Sequence, residues 1–137
     1  MKVAEVMTPD PVVCHADAPL FEAATAMRDR NIGDVLVERD GALCGIVTDR
    51  DIVVRGLAEG NDPGELTLGD IATTELHSVS PDDDVEAVLS KMEAGAVRRI
   101  PVVERGRAVG ILSIGDLATD RDRDSALGQI SSAPPNN

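Results

Sequence analysis

The chain repeats itself. Shifted by 65 residues, positions 1–52 fall on 66–117 without a gap. Eight pairs are identical: Thr8/Thr73, Asp17/Asp82, Met27/Met92, Val37/Val102, Gly41/Gly106, Gly45/Gly110, Ile46/Ile111 and Asp51/Asp116. Others keep their type, among them Val6/Ile71, Cys14/Val79, Leu20/Val85, Val35/Ile100, Thr48/Ser113 and Ile52/Leu117. An ungapped match that keeps polarity predicts a duplication, with two similar units related by approximate two-fold symmetry. Whatever one repeat folds into, the other must fold into as well.

Each repeat reads β-α-β-β-α. A short extended piece comes first, Pro11–Cys14 and His77–Ser80. Leu20, Ala23, Ala24 and Met27 then recur at helical spacing, as do Val85, Val88, Leu89 and Met92. Asp83 with Glu86 predicts a capping box for the second of these helices. Strands follow at Asp34–Val37 and Ile100–Val103, turns at Arg39-Asp40-Gly41 and Arg105-Gly106-Arg107, and second strands at Leu43–Val47 and Ala108–Leu112. A last helix starts at Thr48 or Ser113. One such unit has little core, whereas two packed together bury both apolar surfaces. The expectation is an α/β (α+β) fold with one repeat over 1–60, a linker over 61–69, a second repeat over 70–128 and a frayed tail over 129–137.

The most specific local pattern is Gly-apolar-apolar-Thr/Ser-x-x-Asp, found at Gly45–Asp51 and Gly110–Asp116. Two readings share it. Thr48 and Ser113 cap a helix, with Asp51 and Asp116 answering from the third position. Alternatively, a helix start with free N–H groups and a positive dipole end suits a phosphate, and a carboxylate one turn along accepts two hydrogen bonds from a ribose diol. Recurrence in both repeats supports the second reading.

With these residues in view, the chain resembles a pair of cystathionine-β-synthase (CBS) domains, a Bateman module. Met7-Thr8-Pro9, Arg98-Arg99-Ile100-Pro101-Val102 and Thr48–Ala58 are phrases similar to those of small stand-alone bacterial CBS pairs of the hypoxic-response type. The resemblance covers residues 1–120. It implies a regulatory or sensory module, without catalysis, that binds an adenosine-type ligand (AMP, ADP, ATP or S-adenosylmethionine) in the cleft between repeats. It implies a homodimer formed through helices. The alternative is an interaction module of the same fold with no physiological nucleotide. Carried over by position, Thr48 and Asp51 hold phosphate and ribose in one site, and Ser113 and Asp116 in the other. The base lies near Val13 and Cys14, or near Val79. Arg98 and Arg99 are expected to bind phosphate at the Thr48 site and to make it the tighter one; their other reading is a solvated strand start paired with nearby acids.

Composition narrows the partners. The net charge of −12 is spread over both halves, −7 for residues 1–65 and −5 for 66–137, and disfavours nucleic acid and anionic membranes. One Phe and no Tyr or Trp cannot make a base-stacking platform, so a bound base rests on backbone groups and aliphatic walls. No secretory signal or membrane-spanning run is expected. Cys14 and Cys44, without CxxC spacing, read as free thiols in the cytoplasm, a disulfide between them being the alternative. His15 and His77 stand 62 residues apart, off the repeat, and no metal site, required cofactor or catalytic constellation is predicted.

Overall fold

A computed structural model describes residues 1–60, 62–95 and 97–116. The expected end of the second repeat and the tail lie outside the described residues. Two hairpins dominate. β3 (Asp34–Arg39) and β4 (Ala42–Thr48) are joined by Asp40-Gly41, and β5 (Arg99–Glu104) and β6 (Arg107–Ser113) by Arg105-Gly106. The φ angles are 54° and 78° in the first loop and 53° and 79° in the second. Two successive left-handed residues make the type I′ turn whose twist matches that of the strands. Asp and Gly adopt this conformation at little cost; Arg105 does not.

The chain divides into two compact units, and they are not cut where the repeats are. Among the described residues, a central unit comprises Val12–Leu76 and a terminal unit comprises Met1–Pro11 and His77–Asp116. Each hairpin is completed by the segment that opens the other repeat. β1 (Thr8–Pro9) lies antiparallel on β6, with Thr8 opposite Ile111 and Pro9 opposite Gly110. In the central unit Thr73 bridges Ile46 in the same way. On the far side, β2 (Val13–His15) runs parallel to β3, and Val79 makes a parallel bridge to Val102.

Helices close one face of each sheet. α2 (Leu20–Arg30) buries Leu20, Ala23 and Met27 and ends at Asn31 in the left-handed conformation. These side chains pack with Cys14, Ala16, Val35, Val37, Val47, Leu68 and Ile71, the last two from α4 (Leu68–Ile71). α5 (Val85–Gly95) buries Val85, Val88 and Met92 against Val79, Ile100, Val102, Leu112 and Val3, which comes from α1 (Val3–Val6). At the start of α5 the Asp83 carboxylate accepts the Ser80 N–H at 2.8 Å, and the Val85 N–H donates to the Met1 carbonyl at 3.0 Å. After β4 the chain turns through α3 (Asp49–Asp51) into a π-helix, Ile52–Leu57. Gly56 is buried there, and a Cβ on it would sit 2.9 Å from Leu20 Cδ1. The architecture is α+β.

Candidate functional site

Each β-hairpin ends on the same cap. In the central unit Thr48 leaves the strand extended, and the helix begins at Asp49. The Thr48 hydroxyl oxygen accepts the Asp51 N–H at 3.1 Å, and Asp51 Oδ2 accepts the Thr48 N–H at 2.9 Å. The terminal unit repeats both distances with Ser113 and Asp116. The next N–H is also satisfied, Asp49 donating to the Gly33 carbonyl and Ile114 to the Arg98 carbonyl, both at 3.0 Å. Arg50 N–H donates to Asp49 Oδ1 at 2.8 Å.

The capping reading is therefore realised, with Asp in place of the usual Glu. It leaves specific chemistry unused. A hydroxyl that accepts a hydrogen bond still has its proton to donate, and a carboxylate with roughly four lone-pair positions has given up only one to the cap. The cap thus keeps an O–H donor beside a carboxylate oxygen, a pair whose chemistry suits a phosphate oxygen and a sugar diol. The helix N–H groups that a phosphate would otherwise use are largely engaged by the chain itself.

The glycine of the motif serves the fold. A Cβ at Gly110 would lie 2.5 Å from Met7 Sδ and 2.9 Å from the Thr8 carbonyl oxygen; at Gly45 it would meet Ala72 Cβ at 2.9 Å and the Thr73 carbonyl oxygen at 3.1 Å. The segment crossing from the other repeat's start needs that space. The same crossing brings Thr8 to the cap, where its hydroxyl donates to Asp116 Oδ1 at 3.4 Å. The Thr8/Thr73 identity was the available signal for this contact, without saying what either touches.

The candidate base wall divides. Val13 is 39% exposed, while Cys14 and Val79 point into the two cores. Burial, with Glu22 next in effect, pushes the Cys14 thiol above its ordinary range, so it stays protonated. Both cysteines are free. The backbone alternates in the same sense: Val12 O and Glu38 O receive bonds across the β2–β3 pair, and residue 79 both donates to Pro101 and accepts from Val103. Val13 and its counterpart Ser78 thus turn their backbone polar groups away from the ladder.

Charge separates the two ends. Asp34 is opposite Thr48 in the β3–β4 register, and Arg99 is opposite Ser113 in the β5–β6 register. The central end carries Asp34, Asp49, Arg50 and Asp51; the matching positions of the terminal end are Arg99, Ile114, Gly115 and Asp116, with Arg98 before them. Arg98 and Arg99 belong to the terminal unit, where the β5–β6 register sets Arg99 opposite Ser113. His15 lies elsewhere and is exposed: its Nδ1 accepts the Asp17 N–H at 3.0 Å, and Arg39 pairs with Asp17 at 3.2 Å. Among the described residues no group of three or more His, Cys, Asp and Glu side chains is placed to hold a metal, and no helix is long and apolar enough to cross a membrane.

Comparison with known proteins agrees with this geometry. The family model for the CBS domain matches twice, over residues 3–57 and 68–121. The chain is 39% identical over 136 residues to YlbB of Bacillus subtilis (strain 168), covering 95% of this chain and 91% of that protein. It is 40% identical over 100 residues to Hypoxic response protein 1 of Mycobacterium tuberculosis (strain ATCC 25618 / H37Rv), covering 72% and 70%. The crystal structure of Hypoxic Response Protein I, which has two coordinated zinc ions, superposes with a TM-score of 0.76 at 34% identity, over 86% of this chain and 97% of that one. The CBS domain pair of protein MJ0100, in complex with 5′-methylthioadenosine and S-adenosyl-L-methionine, also gives 0.76, at 28% identity over 86% and 93%. One match to each repeat makes the chain a CBS pair. This chain belongs to the CBS-domain family, as a regulatory module.

Proposed function

We propose that this CBS pair is a cytoplasmic, non-catalytic sensor of an adenosine-type ligand, which it holds by the ribose at Asp51 and at Asp116. The observation that carries the reading is the cap itself. Its hydrogen bonds occupy one oxygen of each carboxylate and leave the hydroxyl protons of Thr48 and Ser113 to donate. The MJ0100 pair in complex with methylthioadenosine and S-adenosylmethionine supports an adenosine moiety as the common element. Val13 and the backbone around Val79 line the base, with Cys14 contributing through its main chain.

The flanking charges divide the ligands. Three carboxylates beside one guanidinium favour a sulfonium-bearing or uncharged adenosine at the central end. Arg98 and Arg99 beside a single carboxylate favour a phosphate at the terminal end. Signalling then requires that the ligand bind two conformations unequally. Dimerisation through helices is part of this reading, supported by Phe21 on α2 and Val53 and Leu57 on the adjoining π-helix, all more than half exposed.

Titration calorimetry of the protein with AMP, ATP and S-adenosylmethionine tests it. Asp116→Ala removes AMP binding while S-adenosylmethionine binding persists, and Asp51→Ala does the reverse. The engagement of the helix N–H groups by the chain itself favours a second reading, an interaction module whose caps are only caps. The absence of binding by all three ligands would establish that reading instead.

A further inference from the structure

Among the described residues, Asp116 has a partner that Asp51 lacks. Thr8 reaches it because β1 lies antiparallel on β6, close enough that Gly110 has no room for a side chain. The Thr8 hydroxyl donates to Oδ1 at 3.4 Å, and the Ser113 N–H donates to Oδ2 at 2.9 Å. One donor on each oxygen fixes the rotation of the carboxylate, and each oxygen keeps a lone pair. Those two lone pairs then lie side by side, as a vicinal diol requires. In the central unit Thr73 is paired with Ile46 by both backbone bonds, at 3.0 and 3.1 Å, yet among the described residues only the Thr48 N–H holds a side-chain oxygen of Asp51.

We propose that Thr8 is a positioning residue of the terminal site: it presets Asp116 for a ribose diol and makes this end the more selective of the two for ribose over deoxyribose. The proposal rests on the ribose reading of Asp116. It assigns a ligand-selecting role to a residue more than a hundred positions away in sequence, on a segment that opens the other repeat.

The test uses the Asp51→Ala protein, in which only the terminal end can hold a ribose. Calorimetry compares AMP with 2′-deoxy-AMP in that protein and after adding Thr8→Val or Thr8→Ser. The preference for AMP falls about fivefold with Val and is kept with Ser, the effect of one hydrogen bond. An equal preference in the Val variant and its parent overturns the proposal. Amide hydrogen exchange at Ser113, measured without nucleotide, separates the two hypotheses. It accelerates in Thr8→Val and not in Thr8→Ser if Thr8 orders the carboxylate, while Thr73→Val leaves Thr48 exchange unchanged. If neither nucleotide binds, the ribose reading fails, and the exchange result alone decides: acceleration upholds the positioning of Asp116, and an unchanged rate overturns it.

Discussion

The two hairpin ends agree where folding is concerned and differ where a ligand would look. Their caps match to a tenth of an ångström, 3.1 and 2.9 Å in each. Both crowd a glycine against a crossing segment, and both turn through two left-handed residues. Around the caps, Asp34 becomes Arg99, Asp49 becomes Ile114, and among the described residues only the terminal carboxylate has its second oxygen held, by Thr8. The duplication kept what closes a helix and a hairpin. The flanks, which the fold leaves open to change, differ in charge.

The largest effect should come from the shared core position. Val47 and Leu112 are repeat equivalents and both are fully buried. Leu112→Ala should cost about 3 kcal/mol and Val47→Ala about 2 kcal/mol, because the first leaves the larger cavity. Urea unfolding measures both. Two transitions, with only the mutated unit's moving, would show that the units unfold separately; one shared shift would show a single cooperative fold. A larger loss at Val47 would break the equivalence of the two cores.

The charge contrast is tested by making one end like the other. Ile114→Asp places in the terminal unit the carboxylate that Asp49 provides in the central one. In the Asp51→Ala background AMP affinity should fall about fivefold, roughly 1 kcal/mol for a like charge several ångströms away near the surface. Adenosine affinity should stay level, and added salt should shrink the loss. An equal loss for adenosine would mean that the substitution disturbs the cap rather than the field.

Much of this was legible in the sequence. Both hairpins, the helix starts at Leu20 and Val85 and the hydroxyl–carboxylate caps follow from periodicity and turn chemistry. The crossing of the opening segments does not. Met1–Pro11 and 66–76 are themselves repeat equivalents, each with an apolar face that suits either hairpin, so a self-match cannot say which hairpin receives which segment. The same crossing explains why Met1 meets the start of α5 and why Thr8 reaches Asp116. The π-helix at Ile52–Leu57 was hidden too, since its apolar residues also suit an α-helix. Arg98 and Arg99 stood out as a cationic pair in an acidic chain, whereas the cap that each flank lies opposite comes from the β3–β4 and β5–β6 registers.

The two turns offer a smaller contrast. Asp40 and Arg105 both sit near φ 54°, and only Asp has a side chain suited to it. Arg105→Asn should stabilise the terminal hairpin by about 0.5–1 kcal/mol, and Asp40→Asn should change little. Thermal unfolding of the two variants checks this, and equal shifts would show that the β5–β6 turn relieves its strain in another way.

The smallest effect concerns a contact found in only one unit. Lys2 Nζ and Asp84 Oδ1 are 2.8 Å apart, both more than half exposed, and the matching bridge in the central unit joins Thr67 and Pro19 without charge. The hydrogen bond, with the pair's attraction second, raises the Lys2 amine above its ordinary 10.5 and lowers the Asp84 carboxyl below its ordinary 3.8. A depressed carboxyl stabilises the fold above its unfolded value and loses that contribution as pH falls through the folded one. A raised amine stabilises below its unfolded value and loses the contribution as pH rises through the folded one. The contribution is thus level at neutral pH and fades at both extremes. Being exposed, it is small and screened by salt. Lys2→Ala should lower Tm slightly at pH 7, and the gap to the parent should close as pH drops below 3.8. A gap that persists there would mean that Lys2 acts through its position beside α1 rather than through its charge.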